Sequence, residues 1–382
     1  MNDSIKKPRI CFVALNAYDI LSGRKDIDHV GGAEVQQERI ASWLTQKGYS
    51  VSFVTLDHGQ QDGIDINGIN IFKAYTRQAG IPGLRFFHPR WTGLCKALDR
   101  ADADIYYQRC AGVETGQVAL WCHRHKRKFI FGAASNADCN PKLLSLKSGR
   151  DRFLYNIGLK YADTIIAQTE TQQKLFQQNM GFSSTLVPNC GWNVENKIQH
   201  EADQIKYNNP IHVLWIGRIS REKRFEWLLD VAEKCPDIIF DIVGAVNKNN
   251  DYVSSMTERA EKIHNVKMHG RVSYLKMKDF YLQSNVLCCT SLYEGFPNTF
   301  LEAWSIGIPV VSTFDPDGII KVHGLGWVAD NVLKIVDYLQ EIMKSPDIWQ
   351  KASIASRQYF LANHTREKCL PKFEQVILKL SR

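Results

Sequence analysis

The chain has 382 residues, 44% apolar and 23% charged, so its length suits two α/β domains of roughly 150 to 200 residues each and its composition excludes a fibre or a disordered chain. No apolar run approaches the roughly 20 residues that cross a bilayer, and Met1–Arg9 is polar and charged without a signal peptide's apolar centre, so a cytoplasmic location is expected. Of the net charge of +8, residues 1–200 carry +7 and the rest +1, which suits an acidic membrane surface or an anionic acceptor; without zinc-finger spacings, RNP motifs or basic-region heptads, nucleic acid is not an expected partner.

Arg9–Leu15 is a continuous apolar run of strand length, as in a parallel strand buried on both faces. A long loop, Asn16–Val30, leads to Gly31-Gly32-Ala33-Glu34, a helix to about Lys47 and a strand at Val51–Leu56. Ligands of doubly wound sheets sit beyond the carboxyl ends of the strands, so Gly31 and Gly32 are expected to face a ligand. The spacing is not GxGxxG, so a nicotinamide dinucleotide is not expected. Further strands are read at Ile69–Ala74, Ile105–Gln108, Phe129–Ala133, Thr164–Gln168 and Thr185–Val187. They alternate with helices near Gly112–Lys126, Arg152–Tyr161 and Thr171–Asn179, which implies a mainly parallel sheet.

Within this half, Arg85-Phe86-Phe87-His88-Pro89-Arg90-Trp91 mixes aromatics with cations and could dock on a lipid surface; packed aromatics beside solvated arginines are the plainer reading. Asp102-Ala103-Asp104 imitates a metal-binding DxD, but it immediately precedes a strand and is read as a turn. The ten cysteines form no CxxC pair and no metal spacing, so they read as reduced and structural. No metal and no cofactor is expected.

Pro188–Pro210 is polar and Asn-rich and is read as a linker. A second alternating series begins at Ile211–Arg218, with a helix at Phe225–Lys234 and a strand at Ile238–Val243. Strand Val266–Met268, a helix near Tyr274–Leu282 and strands Asn285–Cys289 and Val310–Ser312 follow. The last helices are read at roughly Ser345–Phe360 and Thr365–Leu380. Two Rossmann-like, doubly wound α/β domains result, over 1–195 and 210–360, with 361–382 as a closing helix.

The densest chemistry lies between the last two of those strands. Gly295 and Pro297 forbid regular structure after Glu294, Asn298 is a good N-cap, and Thr299–Ile306 can form a short helix stopped by Gly307 and Pro309. Glu294 therefore lies in a loop and Glu302 one turn into a helix. The helix N-terminus offers N–H groups to a phosphate and the carboxylates accept from hydroxyls, a combination that suits a sugar nucleotide.

Glu294 and Glu302, with seven residues between them in EGFPNTFLEAWSIGIPVVS, resemble the signature of the retaining glycosyltransferases of family 4, which have the GT-B fold. Gly217-Arg218-Ile219-Ser220-Arg221-Glu222-Lys223 is similar to the GR-x4-K element of that family. The resemblance implies that Arg218 and Lys223 hold the diphosphate of a UDP- or GDP-sugar with the amides near Asn298 and Thr299, that Glu294 meets the donor sugar and that Glu302 binds the ribose. Gly217, Gly270, Gly295, Phe296 and Pro297 complete the implied donor site with Gly31 and Gly32. Arg221 and Arg224 are off the pattern and read as a solvated basic turn.

The family's usual His-Asp turn is replaced here by Ser135-Asn136-Ala137-Asp138, and Gly244-Ala245 departs from its GxGP-like turn. Ser135 or Asn136 could bond a donor-sugar hydroxyl, and Asp138 could orient an acceptor, with Glu34 beside it. Arg218, Lys223, Glu294 and Asp138 are thus the expected catalytic stabilisers, no protein nucleophile being firmly established in the family. The resemblance further implies a cleft between the domains, a closing helix that crosses back to the first, and a saccharide or lipid-linked acceptor at the inner membrane face. The alternatives are a non-catalytic nucleotide-sugar-binding subunit and another enzyme of the fold, such as a sugar-nucleotide epimerase.

Overall fold

The structure, a computed structural model, describes residues 7–23, 31–146, 148–192, 207, 210–246 and 250–382. The chain divides into two compact units, Met1–Asn189 with Cys369–Arg382, and Cys190–Lys368. The expected linker at 188–210 falls largely outside the described residues.

The first unit has eight strands: β1 (Ile10–Val13), β2 (Val51–Thr55), β3 (Ile64–Ile66), β4 (Ile69–Lys73), β5 (Ile105–Arg109), β6 (Lys128–Gly132), β7 (Thr164–Ala167) and β8 (Thr185–Leu186). Their order is β3-β4-β2-β1-β5-β6-β7-β8, parallel except for the β3–β4 pair. The connecting helices are α1 (Tyr18–Ser22), α2 (Gly32–Gln46), α3 (Thr92–Ala101), α4 (Val113–His125), α5 (Gly149–Tyr161) and α6 (Glu170–Met180). β1 is buried throughout, as its uninterrupted apolar run requires of a central parallel strand. It pairs with β2 on one side and β5 on the other, so the Phe12 ring meets Phe53 at 5.0 Å and Tyr107 at 5.5 Å. The strand order reverses between β1 and β5, which places the loops carrying Gly31 and Cys110 side by side.

The antiparallel β3 was not expected. Its turn is Asn67-Gly68 with φ 54° and 80°, the two-residue hairpin in which both central residues are left-handed. α4 and α5 pack at glycine contacts: a Cβ on Gly116 would lie 2.2 Å from the Leu154 carbonyl oxygen.

The second unit orders its six strands β11-β10-β9-β12-β13-β14, all parallel: β9 (His212–Ile216), β10 (Ile239–Val243), β11 (Val266–Gly270), β12 (Val286–Cys289), β13 (Val310–Ser312) and β14 (Gly326–Val328). Its helices are α7 (Phe225–Lys234), α8 (Asp251–Glu261), α9 (Tyr274–Leu282), α10 (Asn298–Ser305), α11 (Ile319–His323), α12 (Val332–Lys344) and α13 (Pro346–Asn363). α8, β14, α11 and α12 were not read from the sequence. The order reverses between β9 and β12, so the loop after β9 and the loop after β12 are neighbours.

The last helix, α14 (Arg366–Leu380), passes from Cys369 onward into the first unit. There the Phe373 ring lies 5.1 Å from Tyr107, and the Tyr49 hydroxyl donates to Glu374 Oε1 at 2.8 Å.

One expectation needs correction. Asn298 is the first residue of α10 and not its cap: Pro297, with φ −62° and ψ 126°, takes the cap position, and its carbonyl accepts from Phe300 N at 3.2 Å. In the Arg85–Trp91 segment the plainer reading of packed aromatics describes Phe86, which is buried with its ring edge-on to Trp91 at 5.6 Å, while Phe87 faces water.

Candidate functional site

In the second unit the strand ends are tied together before any side chain is considered. Gly217 N donates to Val243 O at 3.1 Å, and Gly244 N donates to Gly270 O at 2.8 Å. A Cβ on Gly244 would lie 2.1 Å from Gly217 O, so a glycine lets the two strand ends approach. Gly270 itself has φ 64°, the left-handed conformation that favours glycine.

The loop after β9 turns through a single short helical turn, Arg221–Lys223, and ends at Arg224 with φ 47°. This turn aims the Lys223 ammonium at Glu294 Oε1 on the loop after β12, and the two form an ion pair. Burial pulls the lysine toward its neutral form, but the charge and hydrogen bond of Glu294 outweigh it, and the net shift is upward; Arg218 opposes as a like charge. Lys223 is therefore a cation. Glu294 Oε1 also accepts from Ser291 Oγ at 2.6 Å, and Arg218 on the same loop is exposed.

Three residues not foreseen hold the two loops in place. The Arg224 guanidinium donates to the carbonyls of Thr290 at 2.7 Å and Ser291 at 3.0 Å while stacking 4.0 Å over the Trp227 ring. Thr290 Oγ1 donates to Lys223 O at 2.6 Å and accepts from Trp215 Nε1 at 3.2 Å. Ser291 completes the set through its bond to Glu294. Spacing gave no hint of Arg224, because its acceptors lie 66 and 67 residues away.

Beyond this loop α10 begins at Asn298 with no side chain capping its N-terminus, and Thr299 follows half-buried. Gly295, Phe296 and Pro297 are buried, and the Phe296 ring packs against His364 at 4.7 Å. Glu302 is also buried, and its Oε2 accepts from Tyr281 OH at 2.9 Å. The second unit thus gathers two cations, a helix N-terminus and two carboxylates at one strand-order reversal. Such a set can bind a diphosphate and hydroxyls.

In the first unit Gly31 caps α2, and the Glu34 carboxylate folds back over it: a Cβ there would lie 2.4 Å from Glu34 Oε2. At the end of β6, Ser135 caps a short turn, its Oγ accepting from Ala137 N at 3.2 Å. Asp138 Oδ2 accepts from Ala134 N at 2.7 Å and Ser135 N at 3.1 Å. Burial raises the Asp138 carboxyl above its ordinary value against the pull of these amides and Arg109. Asn136 Oδ1 is buried with no hydrogen-bond partner.

The charges of Asp138, Glu34 and Glu114 act together on Cys110, which is exposed, and push its thiol up against the pull of Arg109, so it stays protonated. Cys110 sits at φ 77° where the strand order reverses, and neither it nor Glu114 was foreseen. The Asp102-Ala103-Asp104 pair is taken up elsewhere, by Arg9 at 2.6 and 3.0 Å and by Arg127 at 2.6 and 3.3 Å. Among the described residues no group of His, Cys, Asp and Glu is arranged to hold a metal ion.

Sequence comparison matches residues 196–359 to the family described as glycosyl transferases group 1, and residues 31–190 to the glycosyl transferase 4-like domain. The chain is similar to an uncharacterized glycosyltransferase of Haemophilus influenzae, 24% identical over 87% of this chain and 92% of that one. It is also similar to the O-antigen biosynthesis glycosyltransferase WbnH of Escherichia coli, 24% identical over 56% of this chain and 62% of that one. Several other curated relatives are matched over less than two thirds of their own length. Among solved structures, sucrose-phosphate synthase of Thermosynechococcus elongatus shares the fold with a TM-score of 0.78 and 16% identity, covering 98% of this chain and 99% of that one.

Proposed function

This chain belongs to the family 4 glycosyltransferases of the GT-B fold, and from that premise we propose that it transfers a sugar, with retention of anomeric configuration, from a UDP- or GDP-linked donor to a saccharide or lipid-linked saccharide. The product belongs to a surface polysaccharide, as the likeness to an O-antigen enzyme supports. The work is done on the cytoplasmic side, without a metal or other cofactor.

The observation that carries this reading is the Lys223–Glu294 pair at the strand-order reversal, with Arg218 on the same loop and the α10 N-terminus beyond it. Lys223, Arg218 and the amides of Asn298 and Thr299 hold the donor's two phosphates and stabilise the charge that grows on them as the sugar–oxygen bond breaks. Glu294 spends Oε1 on Lys223 and Ser291, which leaves Oε2 to accept from a hydroxyl of the donor sugar. Glu302, steadied by Tyr281, takes the ribose hydroxyls.

The acceptor oxygen attacks the anomeric carbon on the face the diphosphate leaves, and its proton passes to the departing phosphate oxygen. No protein nucleophile enters. In the first unit Asn136 Oδ1 meets the acceptor, and the glycines at 31 and 32 let backbone amides approach the donor phosphate or the acceptor. Asp138 acts there by holding the Ser135 turn through its two amide bonds, and Glu34 lies beside them.

A thermal-shift screen of UDP, GDP and their sugar derivatives tests the reading, because a ligand that binds only the folded chain raises its melting temperature. One nucleoside diphosphate is expected to raise it, and to lose that effect in Lys223→Ala. If no nucleotide or nucleotide sugar raises it, the reading is wrong.

A further inference from the structure

Large apolar side chains of the first unit stand in water on one small area. Ile81, Leu84 and Phe87 are 69%, 64% and 60% exposed. They belong to one wound segment, in which Leu84 N donates to Ile81 O at 3.1 Å and Phe87 N donates to Leu84 O at 2.9 Å. Leu84 and Phe87, three residues apart, lie on one side of the segment, and Ile81 precedes them across a turn at Gly83, whose φ is 91°, so the three exposed side chains follow one another as a ridge. The segment is held from behind: Phe86 is buried between Trp91 and the Arg150 guanidinium, which lies 3.8 Å over its ring. Arg150 is the second residue of α5, and Phe153, 64% exposed, is three residues further on the same helix face.

Cations outnumber acids along the two segments that carry these side chains. No Asp or Glu occurs from residue 66 to 98, where five Lys and Arg stand, and none from 139 to 150. Asp151, the first acid thereafter, is paired with Arg150 at 2.8 Å. Arg85 and Arg152 are exposed and form no ion pair among the described residues.

We propose that this ridge, with Arg85 and Arg152 beside it, is a docking surface for a bilayer bearing anionic headgroups, the apolar side chains entering the interface and the arginines meeting the lipid phosphates. A partner protein would not require the long acid-free stretches, whereas a negative surface of any composition repels carboxylates and attracts guanidinium groups. The inference rests on the transfer reading only for its purpose, bringing the enzyme to a lipid-linked acceptor.

Co-sedimentation of the full chain with phosphatidylcholine vesicles, with and without phosphatidylglycerol, tests it with no sugar present, so its failure leaves the transfer reading standing. The chain is expected to sediment with the anionic vesicles and to be released by salt. Ile81→Ser, Leu84→Ser and Phe87→Ser combined should weaken binding by about ten-fold or more, and Arg85→Glu with Arg152→Glu should remove the preference for phosphatidylglycerol. Melting temperature should hardly move in the triple variant, whose three side chains are exposed, and a melt of the double variant reports the loss of the Arg152 bond to the Leu146 carbonyl. The proposal is overturned if the wild type stays in the supernatant or if the triple variant sediments as the wild type does. It is equally overturned if the triple variant converts a wild-type dimer to a monomer, which would make a second copy the occupant.

Discussion

The Lys223 ammonium and the Glu294 carboxylate form an ion pair that joins the loop after β9 to the loop after β12. The pair is partly buried, with 27% and 18% of the two side chains exposed, so each charge depends on the other more than a surface pair would. Glu294→Gln keeps the shape and can still accept from Ser291, but removes the charge that outweighs Lys223's burial. Transfer is expected to fall about 100-fold and stability by about 1–3 kcal/mol. Initial rates together with a urea melt check this; wild-type turnover in the glutamine variant would show that the carboxylate's charge is not used.

Arg224 carries a separate prediction, because it touches no group assigned to the donor and acts by fixing the two loops. Arg224→Ala leaves the Thr290 carbonyl without its donor and the Ser291 carbonyl with Thr313 Oγ1 alone, with an expected loss of about 1–3 kcal/mol in stability and about ten-fold in kcat. Arg224→Lys cannot reproduce the forked geometry, and should recover stability more than rate. Equal recovery of both would make the arginine's role purely structural.

How much of this was legible in the sequence differs by element. The two parallel sheets were, because apolar runs such as Ile10–Val13 and Val286–Cys289 are strand-length and lie between helical periodicities. β3 was missed although Asn67-Gly68 is a hairpin signal, since only three residues flank it on that side. β14 was missed because none of its three residues is fully buried, so its apolar pattern is faint. In the site, spacing and resemblance identified the residues around Glu294 and Lys223, but not what holds them. Arg224 looked like a solvated residue in a basic turn, and its left-handed backbone and distant carbonyl partners are tertiary facts. Phe86 and Phe87 were read together, yet neighbours in a wound segment point to different sides, one inward and one to water.

The α4–α5 packing yields a control on the fold that leaves the site alone. Gly116→Ala puts a methyl carbon where only 2.2 Å separate it from the Leu154 carbonyl oxygen, with an expected cost of about 1–3 kcal/mol by urea unfolding. Gly149→Ala, at the start of α5 with nothing within 4 Å, should be neutral or slightly stabilising. Equal melts for the two variants would mean that the helices separate freely.

Acid stability is expected to depend on Asp104. Burial raises its carboxyl, but the side-chain and backbone bonds from Arg9 and the charge of Arg127 outweigh it, and the net shift is below 3.8. With the folded value depressed, this stabilisation is present above the unfolded value of 3.8 and is lost as pH falls through the lower folded one. Asp104→Asn should therefore lie below the wild type in stability at neutral pH and converge with it as pH falls below 3.8 into the range where the depressed carboxyl takes up its proton. Parallel curves down to that range would contradict the assignment.

The most direct test of the donor site is the turnover of Lys223→Ala with the nucleotide sugar that the thermal-shift screen selects, measured beside a melt that confirms the variant is folded. The account predicts a folded protein with no detectable transfer, because the cation facing the leaving diphosphate is gone. Full turnover in that variant would contradict it.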